Sequence, residues 1–160
     1  MNDFIYSKLF IAIVSFIFGA VLSRLTMSKK ERFDSNMKKQ ELSISLETEV
    51  TSTYQEYINA LDKFNNTVRT KFDDFIEIEK AGAIYFNAIN NLACAVMSNN
   101  VDRNSIKSSH LTKINEGYYR IIPQHYETLQ YIANKCHFDY KGKFREENYK
   151  SMKQVIEKYP

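Results

Sequence analysis

The sequence predicts an all-α protein: an N-terminal single transmembrane helix over residues 1–27, then a cytoplasmic α-helical bundle with one long helix over residues 28–160. Three observations carry that prediction. The chain of 160 residues contains only four Gly and two Pro, and neither type occurs between Gly19 and Gly82. Apolar residues recur in steps of three and four along most of the chain, the period of a helix face. No strand-like alternation is sustained. A sandwich or barrel needs a turn every few residues and spends Gly and Pro on them. A dinucleotide fold or a P-loop needs glycines in a fixed cluster, whereas Gly19, Gly82, Gly117 and Gly142 are scattered. Both classes are excluded by the same scarcity.

The first element is the apolar run from Leu9 to Ser23, LFIAIVSFIFGAVLS, which carries no charge. Extended back to Phe4 it is interrupted only by Lys8, whose aliphatic stem can carry its ammonium to the head groups. Twenty helical residues reach about 30 Å, the hydrocarbon thickness of a bilayer. Leu9, Phe10, Ile13, Phe16, Ile17, Gly19, Val21 and Leu22 are therefore the candidate anchor residues. A cleaved signal peptide is the rival reading, since Val21-Leu22-Ser23 offers cleavage positions, and a buried core helix is a third. The charges favour the anchor. The leading segment is near neutral, with Asp3 offsetting Lys8, and the cations Arg24, Lys29, Lys30 and Arg32 follow the apolar run. The positive-inside rule then places the short N-terminus outside and the body in the cytoplasm. Lys8, Ser15 and Gly19 would face neighbouring subunits or water, because small and polar residues line helix contacts in membranes.

The long helix carries a stripe at Leu46, Val50, Tyr54, Tyr57, Leu61, Phe64, Val68, Phe72 and Phe75, near a heptad seam. It reads as a core face in preference to a seam between subunits, and Asn65-Asn66-Thr67 is its weak point. A second helix is expected from Ala81 to Ser98, with Tyr85, Ile89, Leu92 and Val96 on one face and Phe86 and Ala93 beside it. Turn and cap residues then run from Ser98 to Asn104. A third stripe follows at Ile106, Leu111, Ile114, Tyr118 and Ile121, where Pro123 either kinks the helix or opens the next, which continues through Tyr126, Leu129, Ile132 and Ala133. Phe144, Tyr149, Met152, Val155, Ile156 and Tyr159 mark a last helix. Eleven Tyr and eleven Phe without Trp suit half-buried faces and are compatible with self-association.

The net charge of +3 divides into +1 for residues 1–27 and +2 for the rest, with 20 basic and 18 acidic residues, too balanced for binding driven by phosphate neutralisation. The last twenty residues are locally basic, which suits either an anionic lipid surface or a solvated helix face. Cys94 and Cys136 form no CxxC, and Cys94 sits in an apolar stretch where packing explains it. Cys136 and His137 are adjacent and project differently, so no metal and no cofactor is expected.

Two Arg/His pairs are the candidate catalytic residues: Arg103 with His110, spaced R-N-x5-H, and more weakly Arg120 with His125, spaced R-x4-H. A guanidinium can grip phosphate and stabilise developing charge, and an imidazole can move a proton. The seven-residue offset would place Arg103 and His110 on one helical face, whereas Pro123 interrupts the second pair. The structural alternatives are a capping or solvated role for His110 and a core-edge role for His125. Both spacings resemble the R-x(4–6)-H pattern of the HEPN superfamily of helical-bundle ribonucleases.

The wider layout of anchor, basic stop, long helix and aromatic-rich bundle resembles bacterial membrane-anchored phage-defence proteins. Those include phage abortive-infection proteins and the small HEPN-like membrane accessory proteins of RNA-targeting CRISPR systems. The residues carrying this are AIYFNAINNL from Ala83 to Leu92, Asn99-Asn100-Val101-Asp102, Tyr118-Tyr119-Arg120 and Leu129-Gln130-Tyr131-Ile132. The resemblance implies a homo-oligomer at the bacterial inner membrane, in contact with membrane lipid, that disturbs the membrane or meets an RNA or protein partner of a defence system. It also implies, as an alternative, a membrane-tethered ribonuclease. An anchored scaffold unconnected with defence is the plainer reading.

Overall fold

The computed structural model describes residues 2–66 and 72–160, and all their regular structure is helical. Side chains are described from Ser15 onward, apart from Ile17, Leu25, Met27 and residues 67–71. The chain divides into two units, Met1–Lys38 and Lys39–Pro160.

The first unit is the leading part of α1 (Asn2–Asn65). Its described apolar side chains Phe16, Phe18, Val21 and Leu22 are all exposed, as are Phe33 and Met37 beyond them. Leu9, Phe10, Ile13 and Ile17, also assigned to the anchor, have side chains outside the described residues. Among the described residues, no helix is long and apolar enough to cross a membrane.

The second unit holds the core. The remainder of α1 buries Val50, Tyr57 and Ala60, with Leu46, Leu61 and Phe64 packed beside them, while Tyr54 stays partly open. The helix ends at Asn65, at the predicted weak point, although Thr67 and Val68 lie outside the described residues. Phe72 and Phe75 belong to a new helix, α2 (Phe72–Met97), which begins nine residues ahead of the expected Ala81. Asp73 and Asp74 in its first turn complement the positive end of the helix dipole. Its buried stripe includes all six residues expected there, Tyr85, Phe86, Ile89, Leu92, Ala93 and Val96. Full burial of a large apolar side chain is worth about 1.5–3 kcal/mol, so this stripe outweighs the cost of about 1 kcal/mol for Gly82 inside the helix.

α2 stops where Asn99 turns left-handed, at φ 54°, a conformation Asn tolerates. The Asn100 N–H then bonds the Ala95 carbonyl at 3.0 Å and the Asn99 N–H the Val96 carbonyl at 3.1 Å, closing a Schellman motif. Residues 103–136 are helical without interruption. They comprise α3 (Arg103–Ser105), a π-helical stretch Ile106–His110, α4 (Leu111–Glu116), a second π-helical stretch Gly117–Ile121 and α5 (Ile122–Cys136). Asp102 caps the start, accepting from the Asn104 and Ser105 N–H groups, while its own N–H donates to Ser43 Oγ on α1 at 2.8 Å.

Pro123 stands at the opening of α5, one of the two roles expected of it, and the helical run continues through it without a break. It sits at the first turn of α5, where its missing N–H costs least, and the π-helical stretch just ahead bonds the Ile122 N–H to the Gly117 carbonyl five residues back. α5 ends at a left-handed His137, φ 59°, with the Phe138 N–H on the Ala133 carbonyl at 2.9 Å. The chain returns through Phe138 and Tyr140, whose rings pack on Phe75 at 5.4 and 5.2 Å. A 3-10 turn, Glu146–Tyr149, leads into α6 (Lys150–Lys158), which buries Met152 and Val155 against α2 and α4. Cys94 departs from expectation. It is exposed on α2 with its Sγ 3.1 Å from Ser151 Oγ of α6, because the buried stripe passes on either side of it.

Candidate functional site

The Arg103/His110 pair spans the first π-helical stretch. Arg103 opens α3 and is exposed, whereas His110 closes the stretch and is fully buried. The expected common face is not formed, since a π-helical turn takes up more residues than an α-turn and shifts the phase of everything after it. His110 Nδ1 lies 3.3 Å from Ser109 Oγ, and its Nε2 is buried with no hydrogen-bond partner among the described residues. Desolvation holds its pKa below the ordinary value, against a weaker opposing pull from Glu47. Glu47 of α1 instead receives Lys113 of α4 at 2.9 Å, and that hydrogen bond keeps its carboxyl below the usual range. The surroundings of His110 therefore tie α1 to the long helical run.

The weaker pair is better placed. Arg120 and His125 line one cleft of about 280 Å³, with Tyr54, Tyr57, Ile58 and Leu61 of α1 opposite and Gln124 and Thr128 beside them. The second π-helical stretch puts Arg120 at its edge. Its Nη2 meets Glu116 Oε1 at 3.3 Å in an exposed ion pair, a contact too weak to fix the guanidinium. His125 forms part of the floor at 4% exposure. Its Nδ1 and the Tyr57 hydroxyl share a hydrogen bond of 2.9 Å, and Phe86, Tyr57 and Tyr126 surround the ring edge-on. A neighbouring cleft of about 240 Å³ shares Tyr54, Arg120 and Ile121 and adds Tyr85, Lys113 and Glu116.

Burial decides the chemistry open to this arrangement. It lowers the His125 pKa to about 4 and raises those of Tyr57 and Tyr85 to about 12. At neutral pH the imidazole is uncharged and the phenols keep their protons, so the cleft offers a proton acceptor, a hydroxyl and one guanidinium. It offers no group poised to donate a proton from an imidazolium. Among the described residues, no group of three His, Cys, Asp or Glu could hold a metal.

Sequence reasoning missed Tyr57 as the partner of His125 and Gly82 as the surface its ring lies on. A Cβ at Gly82 would stand 2.4 Å from His125 Cε1. The available signal was a lone Gly inside an apolar helical stripe, which marks a close approach. The phase shift at Ile106–His110 had no sequence signal. Comparison with known protein families, characterised proteins and solved structures gives no match.

Proposed function

We propose that this chain is a single-pass bacterial inner-membrane protein, N-terminus outside, whose cytoplasmic helical bundle self-associates and acts in antiphage defence. It would do so without catalysis, by disturbing the membrane or recruiting a partner to it. The observation that carries the membrane part is the uncharged run Leu9–Ser23 followed by Arg24, Lys29, Lys30 and Arg32. Its described apolar side chains Phe16, Phe18, Val21 and Leu22 are uncovered, and a helix that is apolar all round belongs in lipid or inside an assembly. The defence part rests on the sequence resemblance. The burial of His110 away from the exposed Arg103 favours the non-catalytic form of the reading.

Membrane fractionation of the full chain tests the anchor. A charge at the centre of a span costs about 2.5–3.5 kcal/mol, so Phe16→Arg should move much of the protein from the membrane pellet to the soluble fraction. A parent chain found wholly in the soluble fraction removes the reading.

One observation favours a second reading, a membrane-tethered HEPN-like ribonuclease: Arg120 and His125 share a cleft. In that reading Arg120 holds phosphate and His125 accepts the proton of a ribose hydroxyl. RNA cleavage by the parent, lost in Arg120→Ala and His125→Gln and retained in Arg103→Ala and His110→Ala, would establish it over the assignment to Arg103 and His110. Absence of cleavage by the parent ends both.

A further inference from the structure

α1 and α2 run antiparallel through the second unit, and their side-chain contacts fix the register. Lys63 pairs with Glu77, the Tyr57 ring packs on Phe86 at 5.9 Å, and Tyr54 meets Tyr85 at 5.2 Å. On the outer side of this hairpin the helices leave an open groove of about 440 Å³. Ala60 and Ala81 form its floor, and the Lys63–Glu77 ion pair closes one end. Ile76 and Ile84 stand two turns apart on α2, 39% and 41% exposed, with Lys80 between them. Across the groove on α1 lies Glu56, and neither Glu56 nor Lys80 has an ion-pair partner among the described residues.

We infer that this groove is the surface through which two copies of the chain associate about a two-fold axis running along it, with Lys80 of each copy opposite Glu56 of the other. The inference rests on the self-association proposed above and gives it a location.

Charge complementarity selects a second copy over other occupants. The groove carries two acids, Glu56 and Glu77, and two bases, Lys63 and Lys80, so it has no net charge with which to hold a nucleic acid or an anionic surface. A two-fold axis along the helices places α1 of one copy against α2 of the other and preserves height along the groove. The antiparallel register puts residues whose numbers sum to near 140 at the same height. Lys63 of one copy then lies level with Glu77 of the other, extending the existing pair into a network. Lys80 lies level with Ala60 of the other copy and one turn from Glu56, within reach of a long side chain. The alanines let the helices approach, and Ile84, which lines the groove, leaves water. Each contact occurs twice, as an isologous interface requires.

The test is the mass of the detergent-solubilised full chain by light scattering, with detergent subtracted, across a concentration series. The parent is expected to associate. Lys80→Glu and Glu56→Lys should each weaken association about tenfold or more, because like charges then face one another across the axis. The double charge swap should restore it to within a few-fold of the parent. Both positions are exposed, and unchanged helicity by circular dichroism confirms that each variant is folded. A monomeric parent overturns both the self-association reading and this surface. A parent oligomer whose mass neither reversal changes overturns the surface alone and leaves association to the anchor. Single reversals that dissociate the particle without rescue by the swap overturn the Lys80–Glu56 pairing.

Discussion

His125 shows how burial reassigns a residue that the sequence marks for chemistry. Its ring is enclosed by aromatic side chains and lies on Gly82, and desolvation lowers its pKa from 6.5 to about 4. Between those two values the unfolded chain takes up a proton that the folded chain refuses. Stability is therefore unaffected by this group above pH 6.5 and falls as the pH drops toward 4. At about 1.4 kcal/mol for each pH unit, the loss is about 3 kcal/mol by pH 4. His110 is shifted in the same direction by the same cause and adds to the loss. Guanidinium unfolding at pH 7.5 and pH 4.5 checks this. His125→Gln, which can still bond the Tyr57 hydroxyl but does not titrate in this range, should lose much less stability between the two than the parent. Equal losses would show that the buried imidazole is not the acid-sensitive group.

At the scale of elements, two glycines set how closely helices meet, and they should respond differently to the same change. Gly82 of α2 faces the His125 imidazole, and an added Cβ would come within 2.4 Å of Cε1 and 2.8 Å of Nε2. The ring is hemmed in by Phe86 and Tyr126 and bonded to Tyr57, so it has little room to yield. Gly117, at the start of the second π-helical stretch, meets the ends of two side chains most closely, Ile89 Cδ1 and Met152 Cε, each at 3.1 Å, with Ile89 Cγ2 at an ordinary 3.5 Å. Replacing Gly by Ala in a helix gains about 1 kcal/mol in propensity, whereas overpacking a core costs about 1–3 kcal/mol. Gly117→Ala should therefore leave the unfolding midpoint nearly unchanged, and Gly82→Ala should lower it. Equal midpoints for the two variants would mean that the His125 ring gives way freely. The two π-helical stretches belong to this scale too. The first separates Arg103 from His110 in depth, and the second carries Arg120 to the edge of the cleft that contains His125.

For the whole molecule, the proposed anchor and the proposed α1–α2 groove would offer separate routes to assembly. Gly19 lies in the first unit, and among the described residues nothing comes within 4 Å of where its Cβ would stand, so a larger residue there, as in Gly19→Leu, meets no described neighbour in a single copy. Any change in particle mass in that variant reports contact between copies. We expect a smaller particle, because small residues permit close helix packing in membranes. An unchanged mass would remove Gly19 from the assembly and leave the α1–α2 groove as the contact. Combined with the charge reversals at Lys80 and Glu56, this variant separates association through lipid from association through the bundle.

The all-helical class was written in local features that need no tertiary context. The scarcity of Gly and Pro, the apolar steps of three and four, and the weak point at Asn65 each act within a few residues of chain. The same holds for the apolar run from Leu9 and the basic residues after it. The start of α2 at Phe72 was not visible, because no Gly or Pro punctuates the chain there and both helices continue one apolar stripe. The candidate site was readable as a list of residues and not as an arrangement. Spacing favoured Arg103 with His110, yet across the π-helical stretch one is exposed and the other buried. Arg120 and His125, discounted because Pro123 stands between them, share a cleft, since the helix runs on through the proline at the opening of α5. Periodicity and composition act along the chain and are determined by the sequence itself. Depth, phase after a π-turn and the partner across a groove depend on which helices pack together, and only the tertiary structure decides them.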